Sequence, residues 1–353
     1  MSQFIFRRVL QAIPTLFGIT ILTYSLLVMA PGSPVATLAF GPRTTTAQKN
    51  ALAEQLGVND PVWKQYIRWL VGNDWQEFRK VDGRGNVMLD ANGEVVMERG
   101  TQKGILRGDF GDSFVSKRSA LEVIAEKFPA TAELGASALL VGLVLGIPIG
   151  VVAAVRRGGV FDNITRVMAV MFSAVPVFWL GLTLLLIFGS QLGWLPMGGR
   201  YPTDYFLSGN VNVWQRIEHL ILPVTVRATG WVAVLSRFMR ASTLDVLSQD
   251  YVRTAQAKGL KYRQVWFTHA ARNALIPIAT ILGPAIPGII GGALITETIF
   301  SWPGVGRTTY QSVLNYDYPV IMAAVIFVSI TTVLGYLLSD ILYALIDPRI
   351  RLS

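Results

Sequence analysis

The chain has 353 residues, 52% of them hydrophobic and 15% charged, with 31 basic residues against 22 acidic ones and no cysteine, and its mean hydropathy is +0.46. That balance excludes an ordinary soluble domain, a disulfide framework and a cysteine-ligated metal, and it points to a bilayer. The formal charge of +9 would suit nucleic acid only if the basic residues formed one face interleaved with aromatics, and their positions along the chain exclude that.

A spanning helix needs about 20 mainly apolar residues to cross about 30 Å of hydrocarbon. Six windows qualify: Val9 to Ala30, Pro129 to Val155, Ile164 to Ser190, Leu220 to Met239, Ala274 to Thr296 and Pro319 to Ile346. The first follows Arg7 and Arg8 but exceeds the about 7–15 apolar residues of a cleavable signal peptide, so it is read as an uncleaved span. Residues 31–128 come next, with 13 basic and 12 acidic residues. Within them "TTTAQKNALAEQLGVNDPVWKQYIRWLVG" has helical spacing, with Leu52, Leu56, Trp63, Ile67 and Leu70 as its apolar face. "DGRGNVMLDANGEVVM", Asp82 to Met97, alternates β-prone runs around Asp-Gly and Asn-Gly and reads as one or two hairpins. A small mixed α/β subdomain is therefore expected between the first two spans.

The second span carries Glu133 about one turn from its start and places Gly142, Gly146 and Gly150 at four-residue spacing, with Pro148 as a kink. The fourth contains Arg227, the fifth Gly288 and Gly292 beside Pro284 and Pro287, and the sixth Asp340, read as a packing and hydrogen-bonding residue. The spans with these glycines are candidates for interior helices. Between the fourth and fifth spans lies the polar loop 241–273. In it "YVRTAQAK" should form a short helix, capped by Asp250 or Ser248 and ended by Gly259.

With the N-terminus inside, the inner segments hold fourteen basic residues, among them Arg156, Arg157, Arg237, Arg240 and Arg272, against four acidic ones. The two short outer loops hold only Arg200, Arg216 and Arg307. This asymmetry puts both termini and loop 241–273 in the cytoplasm and residues 31–128 outside, because long loops cross regardless of charge. The cytoplasmic helix, with small residues Thr254, Ala255, Ala257 and Gly259 and anchors Tyr251 and Val252, suits insertion into a partner's groove. Equally, Arg253, Lys258, Lys261 and Arg263 suit anionic headgroups, and the residues alone leave both readings open. There is no G-x-x-x-x-G-K-[ST], H-E-x-x-H or G-x-S-x-G string, and the only histidines are His219 and His269. Neither nucleotide binding nor hydrolytic chemistry is supported.

Several strings recur in a fixed order: "FIFRRVLQAIPTLFGI" at Phe4 to Ile19, "APGSP" at Ala30 to Pro34, "GDFGDSF" at Gly108 to Phe114 and "FPATAELG" at Phe128 to Gly135. They continue with "AQAKG" at Ala255 to Gly259, "HAARNALIP" at His269 to Pro277 and "IDPRIRL" at Ile346 to Leu352. Together they resemble the permease subunits of ATP-binding-cassette importers of the dipeptide/oligopeptide/nickel branch, in particular the first permease of the pair. Arg253 stands where the broader family has a glutamate, as in that branch, and the insert near residues 82–98 is longer than is usual.

The resemblance implies an all-α integral membrane protein of six transmembrane helices with the small α/β subdomain outside. The chain then divides into residues 1–30, 31–128 and a five-helix permease core at 129–353. It also implies a multi-pass protein of the bacterial inner membrane that imports di- or oligopeptides, with nickel or another small solute as the alternative and an ion-driven secondary transporter as a distant one. Its partners would be a second permease, two ATPases, an extracytoplasmic substrate-binding protein and the bilayer, with no nucleic acid. No cofactor or metal is expected in this chain, since ATP and Mg would be held by the ATPases. The ATPase-coupling residues would be Tyr251, Val252, Thr254, Ala255, Ala257, Lys258 and Gly259. Arg227 would line the translocation path or, by preference, pair with an acidic neighbour such as Glu133, and Gly142, Gly146, Gly150, Gly288 and Gly292 would pack helices.

Overall fold

Backbone in hydrocarbon must satisfy its own N–H and C=O groups, and the apolar runs accordingly form helices. The structure is a computed structural model and describes residues 2–32, 35, 49–50, 53–54, 57–80, 88–90, 92–202, 205, 209 and 212–346. Helices long and apolar enough to span are α1 (Ser2–Met29), α3 (Ala120–Val155), α6 (Val213–Leu247) and α11 (Tyr318–Ile346). The fifth candidate is the stretch Ile281–Ile299. Between these lie α2 (Val62–Val71), α4 (Val160–Ala174), α5 (Val177–Leu184), α7 (Asp250–Ala257), α8 (Ile276–Ile290), α9 (Leu294–Ile299) and α10 (Val305–Leu314).

Two expected spans are not single rods. The third is a pair, α4 and then α5 continued as a π-helical turn to Gln191, bent by 99°. Pro176 explains the bend: it cannot donate to the helix and forces Val175 into an extended conformation, with φ −69° and ψ 125°. The fifth breaks after Ile290, where Gly292 takes φ +88° before α9 begins.

The chain divides into two compact units. One comprises residues 9–126 and 308–330. Here Tyr24 of α1 packs edge-on to Tyr66 of α2 with ring centres 5.7 Å apart, and Trp69 completes the cluster. The packed side of α2 is thus Gln65, Tyr66 and Trp69. Two members of the expected apolar face, Trp63 and Ile67, are exposed instead, while Leu52 and Leu56 lie outside the described residues. Strands β1 (Glu77–Arg79) and β2 (Met97–Arg99) pair antiparallel with Phe78 opposite Glu98.

Beyond that pair, Leu89 bridges Val95 around a turn in which the Asp90 carboxylate accepts from Asn92 and Glu94 N–H and Gly93 adopts φ +82°. The expected Asn-Gly turn is therefore present, and the Asp-Gly turn at Asp82 lies outside the described residues. Arg107 ties the unit together by donating to the Asp74 carboxylate and to the Val71 and Lys103 carbonyls; its hydrogen bond holds the Asp74 carboxyl below its usual range. Asp317, just before α11, accepts from Ser113 Oγ at 2.6 Å and Phe114 N–H at 2.9 Å, which fixes the "GDSF" turn.

The other unit holds residues 1–8, 127–307 and 331–353. Its centre is the contact of α3 with α6. A Cβ on Gly142 would strike Trp231 Cβ, on Gly146 would fall 2.9 Å from Leu235 Cβ, and on Gly150 would fall 2.7 Å from both Met239 Cβ and Ser236 O. These glycines let the two backbones approach more closely than any side chain would allow. Gly135, one heptad before Gly142, does the same against Ile289 of α8. Val151, Leu235, Met239, Ala274 and Ile278 form the adjoining core.

Candidate functional site

Loop 241–273 continues α6 to Leu247 and then reverses into α7. Neither expected cap operates: Ser248 Oγ donates back to Asp245 O, and the N-terminus of α7 at Gln249 has no side-chain cap. The other end is as expected, with Gly259 at φ +75° and its N–H bonded to Gln256 O. Packing, not capping, holds α7. Val252 and Ala255 are buried against Val265, Val246, Leu247 and Trp266, so these two do not reach outward as partner anchors. The outward residues are Tyr251, Arg253, Thr254, Gln256, Ala257 and Lys258. Tyr251 Oη accepts from Asn273 Nδ2 at 2.7 Å, and Ala274 O accepts from Ser242 Oγ at 2.9 Å. The "HAARNALIP" string is therefore what pins the short helix to the helix before it.

Four groups of half-buried or buried charges lie in the unit that holds residues 127–307. Glu133 receives two arginines, Arg200 through Nε at 2.7 Å and Nη2 at 2.6 Å, and Arg216 through Nε at 2.8 Å and Nη2 at 2.7 Å. It is not paired with Arg227, contrary to the preferred sequence reading, because the two loop arginines saturate both of its oxygens. Arg227 instead donates from Nη2 to Gly288 O at 2.6 Å, and its buried Nε has no hydrogen-bond partner among the described residues. Gly288 has open space where a Cβ would be, so it does not serve close packing. Gly292 does, lying against the Gly306 backbone.

The remaining two groups were not singled out from sequence. Asp162 of α4 is fully buried and forms a forked ion pair with Arg240 of α6 at 2.5 and 2.8 Å, while also accepting from Gly158 N–H. Glu297 is fully buried as well. It accepts from Thr131 Oγ1 at 3.0 Å, Ala293 N at 3.2 Å and Arg307 N at 2.8 Å, and Gly304 and Gly306 leave the room that its carboxylate occupies. Thr131 Oγ1 in turn accepts from Val305 N–H, and Trp302 Nε1 donates to Ala130 O. The sequence signal for this site was the Gly-x-Gly pair following Trp302-Pro303. No cluster suited to a metal ion occurs among the described residues.

Comparison with known proteins decides what this scaffold is. A family model described as "Binding-protein-dependent transport system inner membrane component" matches residues 146–352, more than half of the chain. The chain belongs to this family. A second family model, for the N-terminal part of such membrane components, matches residues 1–83. The permease is 39% identical to the oligopeptide transport system permease protein AppB of Bacillus subtilis (strain 168), over 99% of this chain and 100% of that one. It is 35% identical to the dipeptide transport system permease protein DppB of Escherichia coli (strain K12), over 99% of each. Among solved structures it is similar to one titled "Inward facing conformations of the MetNI methionine ABC transporter: CY5 native crystal form". The TM-score is 0.51 at 14% identity, covering 64% of this permease and 97% of that chain, a likeness of fold. It is a multi-pass membrane component of an ABC transport system and not itself an enzyme.

Proposed function

We propose that this permease forms the translocation path of an ATP-driven importer of di- and oligopeptides in a bacterial inner membrane. The observation that carries the reading is its end-to-end similarity, at 39% identity, to an oligopeptide permease. In this reading it pairs with a second permease, two ATPases that hold ATP and Mg, and an extracytoplasmic binding protein. Both termini and loop 241–273 face the cytoplasm and residues 31–128 face outward, as the excess of arginine and lysine on the inner segments supports. The domain division is residues 1–30, 31–128 and the permease core at 129–353.

The coupling element is α7. Tyr251, Thr254, Ala257 and Lys258 meet the ATPase, Val252 and Ala255 brace the helix from beneath, and Gly259 sets its end. Nothing lies within 4 Å of a Cβ at Gly259, so Gly259→Val acts through backbone strain alone, about 1–3 kcal/mol. Uptake is expected to fall several-fold with the amount of inserted protein unchanged; wild-type uptake by that variant would remove α7 from the coupling role.

Arg227 bears on the cargo. Among the described residues this guanidinium has no hydrogen-bonded carboxylate, only the longer-range attraction of Glu297, and on a path it favours carboxylates and peptide carbonyls while opposing a divalent cation. The peptide reading is thereby favoured over nickel. The deciding experiment reconstitutes the permease with its partner permease, ATPases and binding protein in proteoliposomes and compares uptake of labelled di- and oligopeptides with that of labelled nickel. ATP-dependent uptake of peptides alone is the expected result. Uptake of nickel alone would overturn the substrate, and uptake by the isolated chain without ATP would overturn the mechanism.

A further inference from the structure

Within the unit formed by residues 9–126 and 308–330 lies a cavity of about 100 Å³. Five of its fifteen lining residues are aromatic, among them Tyr24, Trp69, Phe114 and Tyr318, and five are polar or charged. Among the described residues, three N–H donor atoms of its lining, Arg68 Nε and Nη1 and Trp69 Nε1, are buried and make no well-formed hydrogen bond. The ion pair of Arg68 with Asp60, Nη1 to Oδ2 at 2.6 Å, does not use Nε, and the same Asp60 also serves Lys64 at 3.0 Å. Neither Asp60 nor Lys64 lines the cavity, whose one cationic side chain is that of Arg68. Asp109 also lines it, but both of its oxygens are engaged, by Gly111 and Lys103 N–H groups.

Buried donors without acceptors are rare in folded proteins because desolvating them is unfavourable. Water would satisfy them, but a cavity that sets aromatic side chains beside a few polar groups has the composition of a small-ligand site. Asp109 balances the charge of the lining, but its engaged oxygens do not compete for the free donors. Free donors on Arg68 and Trp69 beside aromatic faces suit a ligand whose head is an acceptor-only anion and whose body is apolar. The space suits the end of one residue and not a whole peptide. We infer that this cavity is a subsite for the carboxy-terminal residue of a short peptide, with Arg68 Nε and Trp69 Nε1 donating to its carboxylate. The inference rests on the peptide-import reading and adds a binding site to it.

The test uses the complete reconstituted transporter and two probes, alanyl-photoleucine with a free carboxylate and its carboxy-amide. After irradiation, labelled positions are mapped by mass spectrometry. The free acid is expected to label the segment containing Arg68 and Trp69, in competition with excess alanyl-leucine, and the amide is expected to label it roughly tenfold less, the equivalent of one charge-assisted hydrogen bond. Trp69→Phe keeps the ring and removes only the N–H, and should lower labelling by the free acid to a similar degree. The comparison of acid with amide on the wild-type chain needs no variant and so does not depend on folding of a mutant. Equal labelling by acid and amide, labelling confined to other segments, or a copurifying lipid found in the cavity would overturn the subsite. ATP-dependent uptake of alanyl-leucine is measured on the same preparation. Its absence would count against peptide import, whereas normal uptake without labelling at Trp69 would sink the subsite alone.

Discussion

Glu297→Ala is expected to yield a permease that does not accumulate in folded form. The carboxylate is fully buried and is the acceptor for Thr131 Oγ1, Ala293 N–H and Arg307 N–H. Removing it strands those donors in a space that water cannot readily fill, since Trp302 is also fully buried nearby and Gly304 and Gly306 fold closely around the site. Breaking a buried charged network by deleting one member costs about 3–5 kcal/mol, comparable to the whole stability of many domains. The break between α8 and α9 and the turn into α10 depend on this group, because its two oxygens close the Ala293 and Arg307 ends of the loop at once. Glu297→Gln retains one carbonyl oxygen but presents an amide NH₂ to a second backbone N–H, so it should fall between Ala and wild type. The yield of folded, monodisperse protein extracted from membranes in mild detergent gives the ranking. An alanine variant with wild-type yield would show that the network is incidental.

The spans were legible in the sequence because a bilayer imposes a length and a polarity that few soluble segments meet. Their interruptions were harder to read. Val175-Pro176 was visible as a proline within an apolar run, yet proline is tolerated in membrane helices, and only the packing of α5 on its own neighbours decides between a kink and the observed 99° bend. The four-residue glycine period announced the contact of α3 with another helix, since periodicity survives in one dimension. Gly135 lies off that run, and its partner on α8 is distant in sequence. The pairing of Glu133 failed for the same reason: Arg200 and Arg216 are 67 and 83 positions away, and nothing local distinguishes them from Arg227 as partners. Glu297 was overlooked because an acid after an apolar run reads as the start of a solvated loop. What buries it is the return of that loop, made possible by two glycines seven and nine positions later. On α7, Val252 was legible as an anchor but not what it anchors to. A short helix with one apolar face buries it against its own chain when such a surface is available, and Val265 supplies one.

Gly150→Ala should destabilise the permease although the same change is favourable in most helices. Replacing a helical glycine by alanine ordinarily gains about 1 kcal/mol through backbone entropy. At Gly150 the added methyl would lie 2.7 Å from Ser236 O and 3.0 Å from Arg240 N, atoms of the α6 backbone that cannot rotate away. The two helices must separate, and overpacking of this kind costs about 1–3 kcal/mol. A methyl added at Gly18 of α1 would meet nothing within 4 Å, so Gly18→Ala provides the opposite sign in the same protein. Function should suffer beyond stability, because Arg240 also holds Asp162 in the forked pair between α6 and α4, and α6 leads directly into α7. Moving α6 away from α3 therefore disturbs the base on which the coupling helix stands. Thermal unfolding of the two alanine variants, with ATP-dependent uptake measured beside it, tests this. Stabilisation by Gly150→Ala with undiminished uptake would mean that α3 and α6 do not approach as closely in the membrane as their glycines allow.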